Sequence, residues 1–230
     1  MGTATAVVVA AGNSRRMGGN VDKTLLPLGA HPVLVHALLA FERCPAVDEV
    51  VLVVRADRVD ASAALAREAG CAKVRRVVAG GATRLASVRA GVAACDPAAE
   101  VIAVHDGARP CVTPDLIARC VASAREFGSG VAAAKVTDTV KAVAEDGVTV
   151  ARTVDRTPLW TAQTPQAFRA PILRDALARA ADGDPAVTDE AAAVEQAGGA
   201  VRLVPSTRPN PKVTFPDDLA LAERLLALRD

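Results

Sequence analysis

Apolar residues along this chain arrive in two alternating rhythms. Residues 6–10, 49–54 (EVVLVV), 74–79, 101–104 and 131–136 are short runs rich in Val, Ile and Ala, largely without polar alternation. Between them, residues 32–43 (PVLVHALLAFER), 59–69, 84–94 and 114–127 repeat their apolar positions at helical spacing. A strand without alternation is buried on both faces, and β-α-β crossovers produce that burial by laying helices over each side of a parallel sheet. The pattern therefore predicts an α/β fold, a Rossmann-like, mostly parallel twisted sheet flanked by helices.

The rhythm changes after Val136. Residues 137–143 and 148–154 are two β-rich segments joined by Ala144-Glu145-Asp146-Gly147, which predicts a hairpin with Asp-Gly in its turn. A lone hairpin cannot bury both faces on the parent sheet, so it either covers a site or reaches another subunit. Beyond it, residues 171–181 and 189–196 predict helices and 200–204 a strand. Residues 216–228 (PDDLALAERLLAL) predict the strongest helix, with an acidic first turn and an apolar stripe. No repeat, low-complexity tract or linker divides the chain, so residues 1–230 form one domain that carries a hairpin arm at 137–155.

Composition narrows the classes. At 230 residues, 51% of them apolar, the chain can bury a full core. Twenty-seven Lys and Arg against 26 Asp and Glu leave a formal charge of +1, so there is no global electrostatic case for nucleic acid or an anionic membrane. With no Tyr, one Trp and four Phe there is no base-stacking platform either. Five cysteines without a C-x-x-C spacing read as reduced, packed thiols. The N-terminus lacks a signal-peptide pattern, and the apolar run at 5–11 is too short to span a membrane, so a cytoplasmic location is expected.

Candidate chemistry concentrates first at residues 5–28, TAVVVAAGNSRRMGGNVDKTLLPL. A buried strand runs into Ala10-Ala11-Gly12 and then a segment carrying Arg15, Arg16 and Lys23, with no acid before Asp22. The segment has neither G-x-G-x-x-G nor the G-K-[ST] of a P-loop. What remains is a backbone cradle, at Ala11 and Gly12, beside a planar cationic fork, Arg16, and a mobile point charge, Lys23. Those are the parts needed to hold a polyphosphate at a strand's carboxyl edge.

Ala10-Ala11-Gly12 followed by Arg15-Arg16-Met17 and Asp22-Lys23 resembles the signature of the sugar-phosphate nucleotidyltransferases. Further segments narrow the resemblance to the 2-C-methyl-D-erythritol 4-phosphate cytidylyltransferase family. They are Gly80-Gly81-x-x-Arg84-x-x-Ser87-Val88, His105-Asp106-Gly107-Ala108-Arg109-Pro110, Asp138-Thr139-Val140-Lys141, Thr153-Val154-Asp155-Arg156, Gln163-Thr164-Pro165-Gln166, Thr188-Asp189-Glu190-Ala191 and Lys212-Val213-Thr214. They occur in family order across nearly the whole chain.

The resemblance implies that Ala10, Ala11, Gly12, Gly80, Gly81, Ser87, Asp106 and Gly107 hold CTP. Gly80-Gly81 leaves a predicted strand and enters a predicted helix, where bare backbone can meet a base edge. A carbonyl there accepts from the cytosine 4-amino group, whereas uracil leaves it unpaired at a cost of about 1–3 kcal/mol. Ala82 and Thr83 stand where the family carries an acidic residue. Ser87 can instead bond its own helix backbone.

Asp106 and Arg109 follow another strand onto the same sheet edge, as open parallel sheets require. Asp106 is placed to orient substrate hydroxyls or Mg²⁺ and Arg109 to bind phosphate, or the two pair and close their loop. His105 reads as a packed residue, and no His spacing suggests zinc. The family resemblance also implies that Thr139 and Arg156 of the arm enter a partner subunit's site in a homodimer and hold the polyol phosphate there. Thr164 and Thr188 join that pocket, with a turn role and an N-cap role as their respective alternatives.

The implied reaction transfers the cytidylyl group of CTP to 2-C-methyl-D-erythritol 4-phosphate. A phosphate monoester is largely dianionic at neutral pH, with its second pKa at about 6, so the nucleophile needs no general base. Arg16, Lys23 and Lys212, with Mg²⁺ on the triphosphate, then supply the positive charge the transition state requires. Two other readings share these loops: a ribitol-5-phosphate cytidylyltransferase, and a nucleotide-binding regulator without chemistry.

Overall fold

The computed structural model of the protein describes residues 2–12 and 22–228. Its centre is a seven-stranded sheet in the order β11-β7-β10-β6-β1-β4-β5. The strands are β1 (Ala4–Val9), β4 (Glu49–Val54), β5 (Val74–Ala79), β6 (Val101–Asp106), β7 (Ser129–Lys135), β10 (Trp160–Arg169) and β11 (Leu203–Pro205). All run parallel except β10, which lies antiparallel between β6 and β7. Two short strands, β2 (Pro27–Leu28) and β3 (His31–Pro32), pair separately.

The continuous apolar strands are buried for the reason their sequence suggests. Ala6 and Val8 of β1 point to one face, where α1 (Val33–Glu42), α2 (Val59–Glu68) and α4 (Pro114–Phe127) pack. Val7 points to the other, beneath α3 (Arg84–Ala93), α5 (Ala170–Arg179) and α6 (Glu190–Gln196). The helix α7 (Asp217–Ala227) closes a smaller cluster with Leu28, Cys111 and Val213. All five cysteines are free and buried. No helix among the described residues is long and apolar enough to cross a membrane.

The register of the sheet creates the site. Val9 lies opposite Val53 on one side and Asp106 on the other, and Val54 lies opposite Ala79. The carboxyl ends of β1, β4, β5 and β6 therefore form one edge. The chain moves outward from β1 to β4 and β5, then returns to β6 on the opposite side of β1. That reversal opens a crevice above β1 and β6, where open α/β sheets bind ligands.

Three sequence expectations need correction. β10 is absent from the periodicity because its middle, Gln163-Thr164-Pro165-Gln166, is polar and holds a proline. Pairing to β7 shifts between Ala162 and Gln166, and Pro165 lies within that interruption, where no ladder hydrogen bond is asked of it. β5 is half-exposed at the sheet margin instead of buried on both faces. The strand expected at 200–204 forms only at Leu203–Pro205.

The arm is present as β8 (Val140–Val143) and β9 (Val150–Val154), paired only with each other among the described strands. Gly147 takes a φ of 74° in the turn, and Asp146 accepts from the Val148 and Thr149 amides. Val143, Val148 and Val150 are 50%, 82% and 53% exposed, so the end of the hairpin offers apolar side chains to its surroundings.

Candidate active site

A cleft of about 750 Å³ opens at the carboxyl edge of β1, β4, β5 and β6. This is within the size range of nucleotide and cofactor pockets. One wall is Val9 to Gly12 and the Gly80–Arg84 turn. Lys23, Thr24, Ala108, Lys212 and Thr214 continue the lining, as do Arg55 to Asp57 beyond β4. Thus Ala10, Ala11, Gly12, Gly80, Gly81, Ser87, Lys23, Asp106 and Lys212 are brought together as the sequence suggested. Arg15 and Arg16 lie outside the described residues.

The glycine turn is built by close packing. A Cβ on Gly80 would stand 2.5 Å from the Ala11 Cβ and 2.7 Å from Ser87 Oγ, so only glycine lets the turn after β5 lie against the first loop. Thr83 caps α3 by accepting from the Ala86 amide at 3.0 Å. Ser87 does bond its own helix: Oγ donates to the Thr83 carbonyl at 2.9 Å and accepts from the Gly81 amide at 3.1 Å. Its hydroxyl thereby fixes the Gly81 backbone as well as lining the cleft. Gly107 is not a cleft wall; it permits close packing beneath, where a Cβ would come within 2.9 Å of Leu34.

The cationic wall is tied to the other strands by the segment 210–214. Lys23 Nζ donates to the Val213 carbonyl at 2.7 Å, and the Val213 amide donates to the Ala108 carbonyl at 2.8 Å. Lys212 Nζ stands 2.8 Å from Asp106 Oδ2. Asn210 donates to the Thr164 carbonyl at 2.8 Å and accepts on its own carbonyl from Arg109 at 2.8 Å. Arg109 consequently turns its guanidinium towards Asn210, and its approach to Asp106 is 3.7 Å, longer than those of Lys212 and Arg84. The expected Asp106 to Arg109 pair is the weakest of three.

Asp106 carries most of the site's electrostatics. Burial pushes its carboxyl up, but Arg84, Lys212 and Arg109 outweigh that and hold it well below the usual carboxylate range. Arg84 grips Asp106 Oδ1 at 3.2 and 3.3 Å and Glu190 at 2.5 and 3.0 Å. Beneath them His105 is fully buried, and burial lowers its pKa to about 4. Its Nε2 donates to the Arg109 carbonyl at 3.3 Å, and Nδ1 accepts from the Thr164 hydroxyl at 3.1 Å. The same hydroxyl accepts from the Asp106 amide at 3.0 Å. His105 is a neutral structural residue, as its sequence context suggested.

Several expected pocket residues stand elsewhere in the single chain. Thr164 is buried in β10 and its hydroxyl is spent on His105 and Asp106. Thr188 is exposed and does not cap α6; Asp189 does, accepting from the Ala192 amide at 2.9 Å. Thr139 is exposed at the base of the arm. Arg156 is exposed too, and donates to the Thr137 carbonyl. Neither lines this chain's cleft.

The sequence reading gave no role to Arg84, Glu190, Asn210 or the Arg55–Asp57 pair, which joins at 2.8 and 3.0 Å on the cleft rim. Among the described residues no three His, Cys, Asp or Glu side chains gather as a metal cage. Asp57 and Asp106 are the acids lining the cleft.

Comparison with known proteins places these features in a family context. A family model described as 2-C-methyl-D-erythritol 4-phosphate cytidylyltransferase matches residues 4–228. The protein of that name from Syntrophotalea carbinolica is 42% identical over 226 residues, covering 96% of this chain and 94% of its own. The one from Alkaliphilus metalliredigens is 40% identical over 226 residues, covering 98% and 93%. Among solved structures, 4-diphosphocytidyl-2C-methyl-D-erythritol synthase from Anaerococcus prevotii superposes with a TM-score of 0.85 at 27% identity, covering 98% of this chain and 96% of its own. The 2-C-methyl-D-erythritol 4-phosphate cytidylyltransferase of Thermus thermophilus gives 0.77 at 31% identity, covering 96% and 98%.

Proposed function

Because the chain belongs to the 2-C-methyl-D-erythritol 4-phosphate cytidylyltransferase family, we propose that its cleft carries out the family's transfer by placing positive charge, without a general base or a covalent nucleophile. The protein is a cytidylyltransferase of isoprenoid precursor synthesis, joining CTP to 2-C-methyl-D-erythritol 4-phosphate with loss of pyrophosphate. The observation that carries the mechanistic reading is the convergence of Lys23 and Lys212, joined through the Val213 backbone, in the cleft that the Gly80-Gly81 turn also lines.

In this reading the cytosine edge meets the backbone of Gly80 and Gly81, and the triphosphate lies along Ala11, Gly12 and Lys23. Backbone amides and ammonium groups are suited to that charge. The polyol phosphate brings a dianionic oxygen to the α-phosphorus, forming the new P–O bond as the bond to pyrophosphate breaks, and no side chain has to take a proton. His105, neutral and enclosed, is not required as a base. Lys23 and Lys212 meet the charge that grows on the α-phosphate and the leaving group. Such groups fixed in advance are worth more than mobile ones because they need no reorganisation. Arg16 belongs to the same set by the family resemblance of the sequence between Gly12 and Lys23.

Mg²⁺ suits this cleft as an ion delivered on the triphosphate. Asp106, ionised and lining the cleft, is the carboxylate that would hold it, in exchange for part of its bonding to Lys212 and Arg84, with water and phosphate oxygens completing the set. When bound the ion neutralises part of the triphosphate charge. The exposed apolar arm supports a homodimer in which Thr139 and Arg156 reach the partner's polyol phosphate. Five buried, free thiols suit a reducing compartment such as the cytoplasm.

The test is pyrophosphate release from CTP and Mg²⁺ with each polyol phosphate in turn. Release only on adding 2-C-methyl-D-erythritol 4-phosphate is expected. Equal release with ribitol 5-phosphate favours the other cytidylyltransferase, and none with either polyol leaves a nucleotide-binding regulator.

A further inference from the structure

Behind the cleft, four side chains from distant parts of the chain form a line of alternating charge. Glu190 Oε1 and Oε2 each accept from Arg84, at 2.5 and 3.0 Å. The other edge of the Arg84 guanidinium reaches Asp106 Oδ1, and Asp106 Oδ2 takes Lys212 at 2.8 Å. Arg84, Asp106 and Lys212 line the cleft; Glu190, 1% exposed at the first turn of α6, does not.

A carboxylate so deeply enclosed calls for an explanation. Removing such an ion pair from water is costly, and well-packed apolar residues would stabilise the same place as well or better. α6 has other anchors: Gln166 Oε1 accepts from the Ala191 amide at 2.9 Å, and Gln166 Nε2 donates to Asp189 at 2.8 Å. What an apolar pair cannot supply is orientation. A planar guanidinium held bidentately on one edge has little freedom left on the other.

We propose that Glu190 is a positioning residue for the transfer step: it clamps Arg84 so that Asp106, and through it Lys212, stands where the α-phosphate reacts. The inference rests on the reading of the cleft given above. Arg84 without its clamp is free to turn both forks onto Asp106 or to swing into the cleft, and Lys212 loses its fixed partner. The Glu190 carboxylate spends both oxygens on Arg84, and not on the CTP cradle at residues 10–12 and 80–81. Ground-state nucleotide binding is therefore preserved while transfer suffers.

The experiment compares the parent enzyme with E190Q, R84M and E190M/R84M. It measures kcat and KM from pyrophosphate release, CTP affinity by calorimetry, and Tm. E190Q is expected to keep its CTP affinity within threefold and to lose kcat on the order of 10- to 100-fold, the scale of a small misplacement of reacting groups. E190M/R84M, in which no buried charge is stranded, is expected to fold and to match R84M in kcat within twofold, because Glu190 acts through Arg84. A purely structural glutamate would instead lower Tm and weaken CTP binding by as much as it lowers kcat. The inference is overturned if E190Q retains parental kcat, if its CTP affinity falls as far as its turnover, or if E190M lowers kcat further on the R84M background. A parent enzyme that releases no pyrophosphate overturns the reading of the cleft itself, and the inference with it.

Discussion

Lys23 Nζ donates to the backbone carbonyl of Val213 at 2.7 Å, a bond between residues 190 positions apart. It ties the first loop to the segment that carries Lys212, and the Val213 amide in turn is held by Ala108 beyond β6. Three separate pieces of chain thus meet as one rigid cationic wall. Because the proposed transfer prepares no nucleophilic side chain and moves no proton, the placement of this wall is what the fold would contribute to the reaction.

Lys23→Ala is accordingly expected to lower single-turnover transfer by about 3 kcal/mol in activation free energy, the scale for losing one fixed donor to a developing oxyanion. Rapid-quench measurement with saturating CTP separates this from a binding effect. A rate near that of the parent would remove Lys23 from the reacting set.

Gly80→Ala tests the other wall. The added Cβ meets the Ala11 Cβ at 2.5 Å and Ser87 Oγ at 2.7 Å. Ala11 is attached directly to the first loop's backbone, so the loop and the turn must part. CTP affinity by calorimetry is expected to weaken by about tenfold, or roughly 1.4 kcal/mol, with UTP discrimination reduced. An unaltered CTP affinity would show that the turn does not touch the nucleotide.

Stability should fall on the acid side through His105. Burial lowers its folded pKa to about 4 from an unfolded 6.5, so the unfolded chain binds the proton first. The contribution is fully present above about pH 6.5 and is lost as the pH falls towards 4, on the order of 3 kcal/mol in total. Asp106, whose folded pKa is depressed, adds a loss of the same sign at lower pH. Glu190, raised by burial against the pull of Arg84, acts in the opposite sense. Comparing parent and H105Q isolates the histidine: urea midpoints should converge as the pH falls from 6.5 to 4. Parallel curves would contradict a buried neutral imidazole.

Much of the fold is legible locally because β1, β4 and β6 are buried on both faces and say so in runs of Val, Ile, Leu and Ala. β10 conceals itself because its polar centre is consumed internally. Gln166 holds the start of α6, and Thr164 serves His105 and Asp106. Such bonds look in sequence like a loop's. The cleft lining at residues 10–12 and 80–81 is readable as glycine turns after strands. Glu190 was not, since a glutamate in a helix's first turn is ordinarily a solvated, dipole-favoured residue. Only the partner 106 residues away marks it as buried. Arg109 and Thr164 follow the same logic: their residue types suit phosphate and hydroxyl binding, but Asn210, His105 and the Asp106 amide engage them first.

The arm yields the remaining prediction. Val148 is 82% exposed, and Thr139 and Arg156 stand on this hairpin away from their own cleft. An isolated two-stranded hairpin with an apolar face is marginal in water and is stabilised by burial against something else. If that partner is a second copy, each site draws its cations from one chain and its arm from the other. Lys23→Ala and Arg156→Ala homodimers should each be nearly inactive. After subunit exchange, half of the dimers are mixed, and each of those holds one site with both residues intact, so about a quarter of the parental activity should return. Exchange is followed by native mass spectrometry on chains carrying different tags, and transfer by pyrophosphate release. Full exchange with no recovered activity would place the arm's residues outside the partner's site.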